Sequence, residues 1–261
     1  MENNVATAFA LTLFAGLATG IGSIISLFAN RTNKKFLSYA LGFSAGIMLY
    51  ISFVEMFTKA QEYLCERFGA INGVWFACTA FFLGMVLIMA IDNLIPSPES
   101  DLTASKSGHH DAQLQRMGIL MALAIAIHNF PEGLATFTST LDDVSLGSAI
   151  AAAIAIHNIP EGIVTAAPIY YATGNKKRAF YISVLSGLTE PLGALVGYLI
   201  LKPFLNDTAY GIIFGLIAGI MVYIAIEELI PMAREYDKGN SMIFGVISGM
   251  SIMAVSLIMF M

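Results

Sequence analysis

Residues 127–133 read Ile127-His128-Asn129-Phe130-Pro131-Glu132-Gly133, and residues 156–162 repeat the phrase as Ile156-His157-Asn158-Ile159-Pro160-Glu161-Gly162. Each copy lies in the middle of a long apolar run. Ionisable residues at the centre of a bilayer cost about 2.5 to 3.5 kcal/mol each, so they are rare there and usually mark a site or an ion pathway. The repeat therefore indicates a membrane protein that contains a buried polar site.

The composition agrees with a membrane location. Of the 261 residues, 57% are hydrophobic and 12% are charged, and the mean hydropathy is +0.75. Soluble domains carry about 25% charged residues. Apolar stretches close to the roughly 20 residues that cross a bilayer lie at about 6–28, 37–58, 72–95, 117–138, 146–170, 178–201, 209–231 and 242–260. We therefore predict an all-α integral membrane protein with eight transmembrane helices, forming one domain over residues 1–261 with a cytoplasmic loop at about 96–116.

The basic residues predict the orientation, because short cytoplasmic loops carry an excess of Lys and Arg. With the N-terminus outside, the outer connections hold only Lys59, Arg67 and Lys202. The inner connections then hold the other ten, which are Arg31, Lys34, Lys35, Lys106, Arg116, Lys176, Lys177, Arg178, Arg234 and Lys238. We expect both termini to lie outside the cytoplasm.

Acidic residues are distributed differently from basic ones. Apart from Arg178 at the very start of its span, no Lys or Arg falls inside a predicted span, whereas seven of the eighteen acids do: Glu55, Asp92, Glu132, Glu161, Glu190, Glu227 and Glu228. Asp92, Glu227 and Glu228 are close enough to helix ends to reach the lipid headgroups. Glu132, Glu161 and Glu190 lie near the centres of their spans, so they would need to be protonated or to have a cation partner. A metal ion or a proton is the partner that we expect.

The spacing within each copy favours a metal. Residues three and four apart share one helix face, so each copy places His, Asn and Glu together. The short connection between the copies makes their helices antiparallel, which should bring His128 level with Glu161 and Glu132 level with His157. A lone histidine more often makes an interhelical hydrogen bond, but two copies at equal depth favour metal binding.

This arrangement predicts two adjacent cation sites bridged by the two glutamates. One site would be richer in imidazole and the other in amide and carboxylate oxygen. Imidazole with carboxylate suits Zn(II), Fe(II) and their neighbours better than Mg(II) or Ca(II), which prefer oxygen ligands. Gly133 and Gly162 leave room for close approach of neighbouring helices.

The stretches HNFPEGLATF at 128–137 and HNIPEGIVTA at 157–166 resemble the paired signature helices of the ZIP (Zrt/Irt-like) metal transporters, most closely the bacterial ZupT type. The resemblance covers the whole chain. It implies an importer of Zn²⁺ and of other divalent ions (Fe, Mn, Co and Cd) in the bacterial inner membrane, without a prosthetic group. It also implies a binuclear transport site formed by His128, Asn129, Glu132, His157, Asn158, Glu161 and Glu190. Some family members carry Gln and Asp in place of His157 and Asn158.

A second repeat lies outside the signature helices. Residues 46–56 read GIMLYISFVEM and residues 219–229 read GIMVYIAIEEL. The predicted topology runs these two helices in opposite directions. We therefore expect an inverted repeat in which helices 1–3 mirror helices 6–8 around the central helix 4/5 pair, an arrangement that many transporters use for alternating access.

Two classes of function remain at this point. The leading one is a divalent metal transporter, and the alternative is an intramembrane metal-dependent hydrolase that activates water. The chain has no His-Glu-x-x-His helix, so we predict that it is not an enzyme. We expect divalent metal ions and the lipid bilayer as partners and no nucleic acid, and we allow for a homodimer. The roles of Glu55, His109 and His110 stay open, since the two histidines could receive a metal or lie in a solvated loop.

Overall fold

The computed structural model describes residues 4–28, 33–94, 106–142, 144–201 and 206–259, and all regular structure within these ranges is helical. It contains eight helices long and apolar enough to cross a membrane, as predicted. They are α1 (Val5–Leu27), α2 (Lys34–Phe68), α3 (Ala70–Leu94), α4 (Lys106–Asp142), α5 (Val144–Thr173), α6 (Lys176–Gly187, Thr189–Val196 and Gly197–Leu201), α7 (Asp207–Tyr236) and α8 (Ser241–Met259).

Local sequence explains where several helices begin and end. The side chains of Asn33, Asn175 and Asn206 each accept a hydrogen bond of 3.0 Å from a backbone N–H in the first turn of α2, α6 and α7, which is the usual N-cap interaction. Gly69 and Gly174 follow α2 and α5 with φ values of 81° and 67°, a conformation that favours glycine. Because successive spans alternate in direction, we name the two ends of the bundle the Gly69 end and the Gly174 end.

Two helices are longer than the hydropathy pattern predicts. We predicted that the second span ends near residue 58, but α2 continues to Phe68. Residues 57–68 contain neither glycine nor proline, so no residue breaks the helix until Gly69. Similarly, α4 begins at Lys106, inside the predicted loop at 96–116, while residues 95–105 lie outside the described ranges. Hydropathy locates where charged residues begin, which is a different position from where a helix ends.

The eight helices pack as two groups. One group contains α1, α4, α5 and α6, and the other contains α2, α3, α7 and α8, with few contacts joining them. Within the first group α1 packs on α5 as α6 packs on α4, and within the second α2 packs on α8 as α7 packs on α3. The predicted inverted repeat makes α1 equivalent to α6, α2 to α7, α3 to α8 and α4 to α5. Each of these contacts has its equivalent partner, as the repeat requires.

The second repeat carries the same backbone irregularity in both copies. Ser52–Met56 in α2 and Ala225–Leu229 in α7 are single π-helical turns, and they occupy the same places within residues 46–56 and 219–229. Such turns are rare and frequently occur at functional sites. Their equivalence indicates that the likeness between these two stretches extends to their structure.

Candidate metal centre

Glycines bring the helices of the centre together. A Cβ atom added at Gly133 in α4 would clash with the backbone carbonyl of Glu190 in α6. A Cβ atom added at Gly162 in α5 would clash in the same way with the carbonyl of Thr19 in α1. These glycines therefore permit the close helix approach that we predicted from the sequence, and they place Glu190 beside the first copy of the repeated phrase.

His128 lies between the two glutamates of the repeat. Its Nε2 atom is 3.3 Å from Glu132 Oε1 in the same helix and 3.6 Å from Glu161 Oε1 in α5. His128 thus lies level with Glu161, as the antiparallel arrangement predicted. All three residues are at most 5% exposed. One imidazole and two carboxylates are donors of the type that borderline transition metals prefer.

Asn129 adds a second contact to Glu161. With its amide oriented so that the nitrogen faces Glu161, this nitrogen donates to Glu161 Oε2 and to the carbonyl of Ile125, both at 3.2 Å. Asn129 is completely buried. Glu161 therefore contacts two consecutive residues of the facing helix and is the central carboxylate of this cluster.

The second copy uses its asparagine differently. Asn158 Nδ2 donates to the carbonyl of Ala15 in α1, at 2.8 Å, and to Glu190 Oε1 in α6. Both Asn158 and Glu190 are completely buried. Asn158 Oδ1 has no hydrogen-bond partner among the described residues, and leaving a buried acceptor unsatisfied typically costs about 1–3 kcal/mol. This oxygen is of the type that binds cations.

The structure thus groups six of the seven predicted site residues in two clusters. The first contains His128, Asn129, Glu132 and Glu161, and the second contains Asn158 and Glu190. The side chain of His157 lies outside the described part, so its position level with Glu132 stays a prediction. The side chains of His109, His110 and Asp92 also lie outside the described part. Among the side chains that the structure describes, no three from His, Cys, Asp and Glu stand in the arrangement of a complete metal site. A bound ion would replace the direct contacts that His128 now makes with the carboxylates.

A small cavity adjoins the first cluster. It has a volume of about 10 Å³ and is lined by residues of α2, α4, α5 and α7, among them Ser44, Met48, His128, Glu161 and Met221. This is about the space that the centre of one water molecule needs. Ala124 and Ile125 also line it, and both precede His128 in α4, so the cavity lies on the Gly174 side of the cluster.

Lys59 and Arg116 lie inside helices, each one residue beyond a predicted span, at 37–58 and 117–138, and each lies close to an acid. Lys59 is in the extended part of α2, with Nζ 2.8 Å from Glu55 Oε1. Arg116 is in α4, with Nη1 3.7 Å from Glu228 Oε1 in α7. Hydropathy made both predicted spans shorter than their helices, ending one before Lys59 and beginning the other after Arg116. An acid–base spacing of four residues at Glu55 and Lys59 could have indicated the first pair.

An intramembrane set of carboxylate, imidazole and amide groups, held within one of two loosely joined helix groups in a bundle with an inverted repeat, defines a multi-pass membrane protein with the architecture of an ion transporter. The ZIP Zinc transporter family profile matches residues 94–257, which is more than half of the chain. The chain belongs to this family, as the signature stretches indicated.

Relatives confirm this assignment over the full length. The chain is 56% identical over 265 residues to the zinc transporter ZupT of Oceanobacillus iheyensis, covering 98% of this chain and 99% of the relative. It is 52% identical to the zinc transporter ZupT of Lysinibacillus sphaericus, covering 99% of both chains. The zinc transporter ZupT of Streptococcus mutans is 53% identical and is covered completely, as is this chain. The family is one of transporters, which removes the reason to consider an enzyme.

Proposed function

We propose that this protein imports Zn²⁺ through the membrane, and that Fe, Mn, Co and Cd are further substrates. The observation that carries the proposal is the contact of His128 Nε2 with both Glu132 and Glu161 across the two signature helices. Imidazole with carboxylate suits zinc and its neighbours. The relatives named above are zinc transporters, in agreement with this donor set.

The proposed site holds two ions. One ion would be bound by His128 and His157, and the other by Asn129, Asn158 and Glu190, with Glu132 and Glu161 bridging them. The hydrogen bond between Asn158 and Glu190 supports the second set, because it already brings an amide and a carboxylate from different helices together. The buried Asn158 Oδ1 atom would gain a partner when the ion binds.

Alternating access would follow from the two helix groups. The signature helices belong to the group of α1, α4, α5 and α6, which has few contacts with the other group. A small interface allows one group to move against the other while the site stays within its own group, as in other inverted-repeat transporters.

The orientation and assembly complete the proposal. Ten of the thirteen basic residues belong to connections or helix segments on the side of the Gly174 end, so we place this end in the cytoplasm of a bacterial cell and both termini outside. Ions would then travel from the Gly69 end to the Gly174 end. A homodimer stays a prediction, which the mass of the detergent-solubilised protein measured by light scattering would test.

Metal uptake by reconstituted vesicles tests the proposal. Vesicles that contain the protein and a zinc-sensitive dye should report zinc influx, and Glu132→Ala should nearly abolish it. Glu66→Ala, which removes an exposed acid of α2 outside the centre, is the matched control and should transport normally. Absence of influx with the native protein, or normal influx with a correctly inserted Glu132→Ala/Glu161→Ala variant, would contradict the proposal. Competition by Fe, Mn, Co and Cd in the same assay ranks the substrates.

A further inference from the structure

An ion pair joins the two helix groups on the Gly174 side of the candidate metal centre. Arg116 Nη1 in α4 is 3.7 Å from Glu228 Oε1 in α7, and the two side chains are only 19% and 15% exposed. Arg116 precedes His128 by twelve residues, which is about 18 Å along a helix. The pair therefore lies close to the Gly174 end of the bundle. It crosses an interface that has few other contacts.

The centre is closed on the side of this pair. The cavity that adjoins His128 there has a volume of about 10 Å³, and residues of both groups line it, among them Met48 and Met221. This is space for about one water molecule. An ion that leaves the centre toward the Gly174 end therefore requires the two groups to separate at this place. Such a separation moves α4 away from α7 and breaks the contact between Arg116 and Glu228.

The inverted repeat shows that the pair belongs to one end of the bundle. Glu55 occupies the same place in the second repeat as Glu228, and both belong to π turns. Arg116 and Ser145 each lie twelve residues before the histidine of their copy of the repeated phrase, so Ser145 in α5 is equivalent to Arg116 in α4. Serine carries no charge, and Glu55 pairs with Lys59 in its own helix, at 2.8 Å. The acid is thus repeated at both ends, whereas the arginine on a signature helix is not.

We propose that Arg116 and Glu228 form a latch that holds the cytoplasmic side of the transport pathway closed and breaks each time an ion is released. The inference rests on the proposed function, since it takes alternating access with the Gly174 end in the cytoplasm. Because the two residues belong to different helix groups, their attraction stabilises only the arrangement in which the groups meet at this end. The pair of Glu55 and Lys59 lies within α2, so both arrangements retain it. The latch therefore shifts the equilibrium toward the conformation that is closed to the cytoplasm.

Access to the cavity from the Gly174 end provides the measurement. Ser44 lines the cavity and is completely buried, so Ser44→Cys places a thiol where a reagent arrives only after the groups separate. Cys65→Ser and Cys78→Ser remove the two native thiols. Inside-out membrane vesicles that contain this full-length background protein expose the cytoplasmic face to a charged, membrane-impermeant thiol reagent. The rate of modification then follows the fraction of molecules that are open to the cytoplasm.

Removal and exchange of the charges distinguish a latch from a merely structural contact. Arg116→Gln and Glu228→Gln should each raise the modification rate about fivefold, which is the effect on an equilibrium expected from a partly sheltered ion pair. The exchanged pair Arg116→Glu/Glu228→Arg restores opposite charges, so its rate should return close to the native one. Glu55→Gln removes the equivalent acid at the Gly69 end and is the matched control, with the native rate.

Raised rates in both single variants, with recovery in the exchanged pair, support the inference. Native rates in the single variants, a rate that stays raised in the exchanged pair, or a raised rate in Glu55→Gln overturn it. If Arg116→Gln does not reach the membrane, Glu228→Gln and the exchanged pair decide in the same way. Zinc uptake by the native protein is measured in parallel. Absence of uptake would contradict the proposed function, whereas normal uptake with unchanged modification rates would overturn the latch alone.

Discussion

The two copies of the repeated phrase have nearly the same sequence but make different contacts. In α4, His128 and Asn129 both face Glu161 in the opposite helix. In α5, Asn158 faces α1 and α6 instead, where it donates to Ala15 and Glu190. The first copy therefore joins the two signature helices, and the second copy joins its helix to the neighbours. Near-identical phrases thus make two different sets of contacts.

The neighbouring helices explain this difference. Gly133 packs against Glu190 in α6, and Gly162 packs in the equivalent way against Thr19 in α1. The backbone arrangement is thus nearly symmetric, while the side chains at equivalent places are a carboxylate and a hydroxyl. Thr19 Oγ1 donates to the carbonyl of Gly16 in its own helix, at 2.7 Å, so it is already satisfied. The comparison teaches that a symmetric scaffold can carry an asymmetric set of donors.

The largest expected effect comes from Glu161, the central carboxylate of the cluster around His128. Glu161→Gln removes the charge that faces both His128 and Asn129, while Glu132→Gln removes a charge that faces His128. Changing groups that only support metal ligands costs about 10- to 100-fold, so loss of a ligand charge should reduce zinc uptake by about 100-fold or more. We expect Glu161→Gln to be the more severe variant in vesicle uptake. Equal or milder loss would contradict the central position of Glu161.

The second effect tests the asymmetry directly. Glu190→Thr gives α6 the residue that α1 carries at the equivalent place, and so makes the surroundings of the two copies alike. The number of zinc ions bound per chain should fall from two to one, and uptake should fall by about tenfold. Calorimetric stoichiometry of the detergent-solubilised protein measures the first quantity. Retention of two bound ions would show that Glu190 does not complete the second site.

A smaller effect separates the two asparagines. Asn158→Ala removes hydrogen bonds that join α5 to α1 and α6, and the loss of buried partners should destabilise the protein by about 1–3 kcal/mol. Asn129→Ala should destabilise it less, because one of its two bonds is to Ile125 in its own helix. Thermal unfolding midpoints of both variants in detergent provide the measurement. The opposite order would mean that the first copy carries more of the helix packing.

The smallest effect is expected at Thr19. Thr19→Ala removes a hydroxyl whose hydrogen bond is made within its own helix, so stability should change by less than about 1 kcal/mol and zinc uptake should stay native. This variant is the matched control for Glu190→Thr, since it changes the equivalent place on the other side of the pseudo-symmetric pair. Reduced uptake by Thr19→Ala would show that α1 contributes to the pathway.

Much of the fold could be predicted from the sequence because membrane spans are long and apolar. All eight spans, the antiparallel signature helices and the inverted repeat were predicted correctly. The ends of α2 and α4 were not, since the hydrophobic effect marks the part of a helix that faces lipid rather than the whole helix. For the same reason Lys59 and Arg116 were placed in loops, although they lie in helices and pair with Glu55 and Glu228.

The sequence by itself determined the chemical nature of the centre. Burial of His, Asn and Glu at helical spacing in apolar surroundings needs a cation or a proton, whatever the packing. Tertiary structure decided which donor contacts which. The direction of Asn158 toward Ala15 and Glu190 depends on how α1 and α6 pack around the signature helices. Contacts between residues far apart in the chain follow from the packing of whole helices, so no local spacing could have shown them.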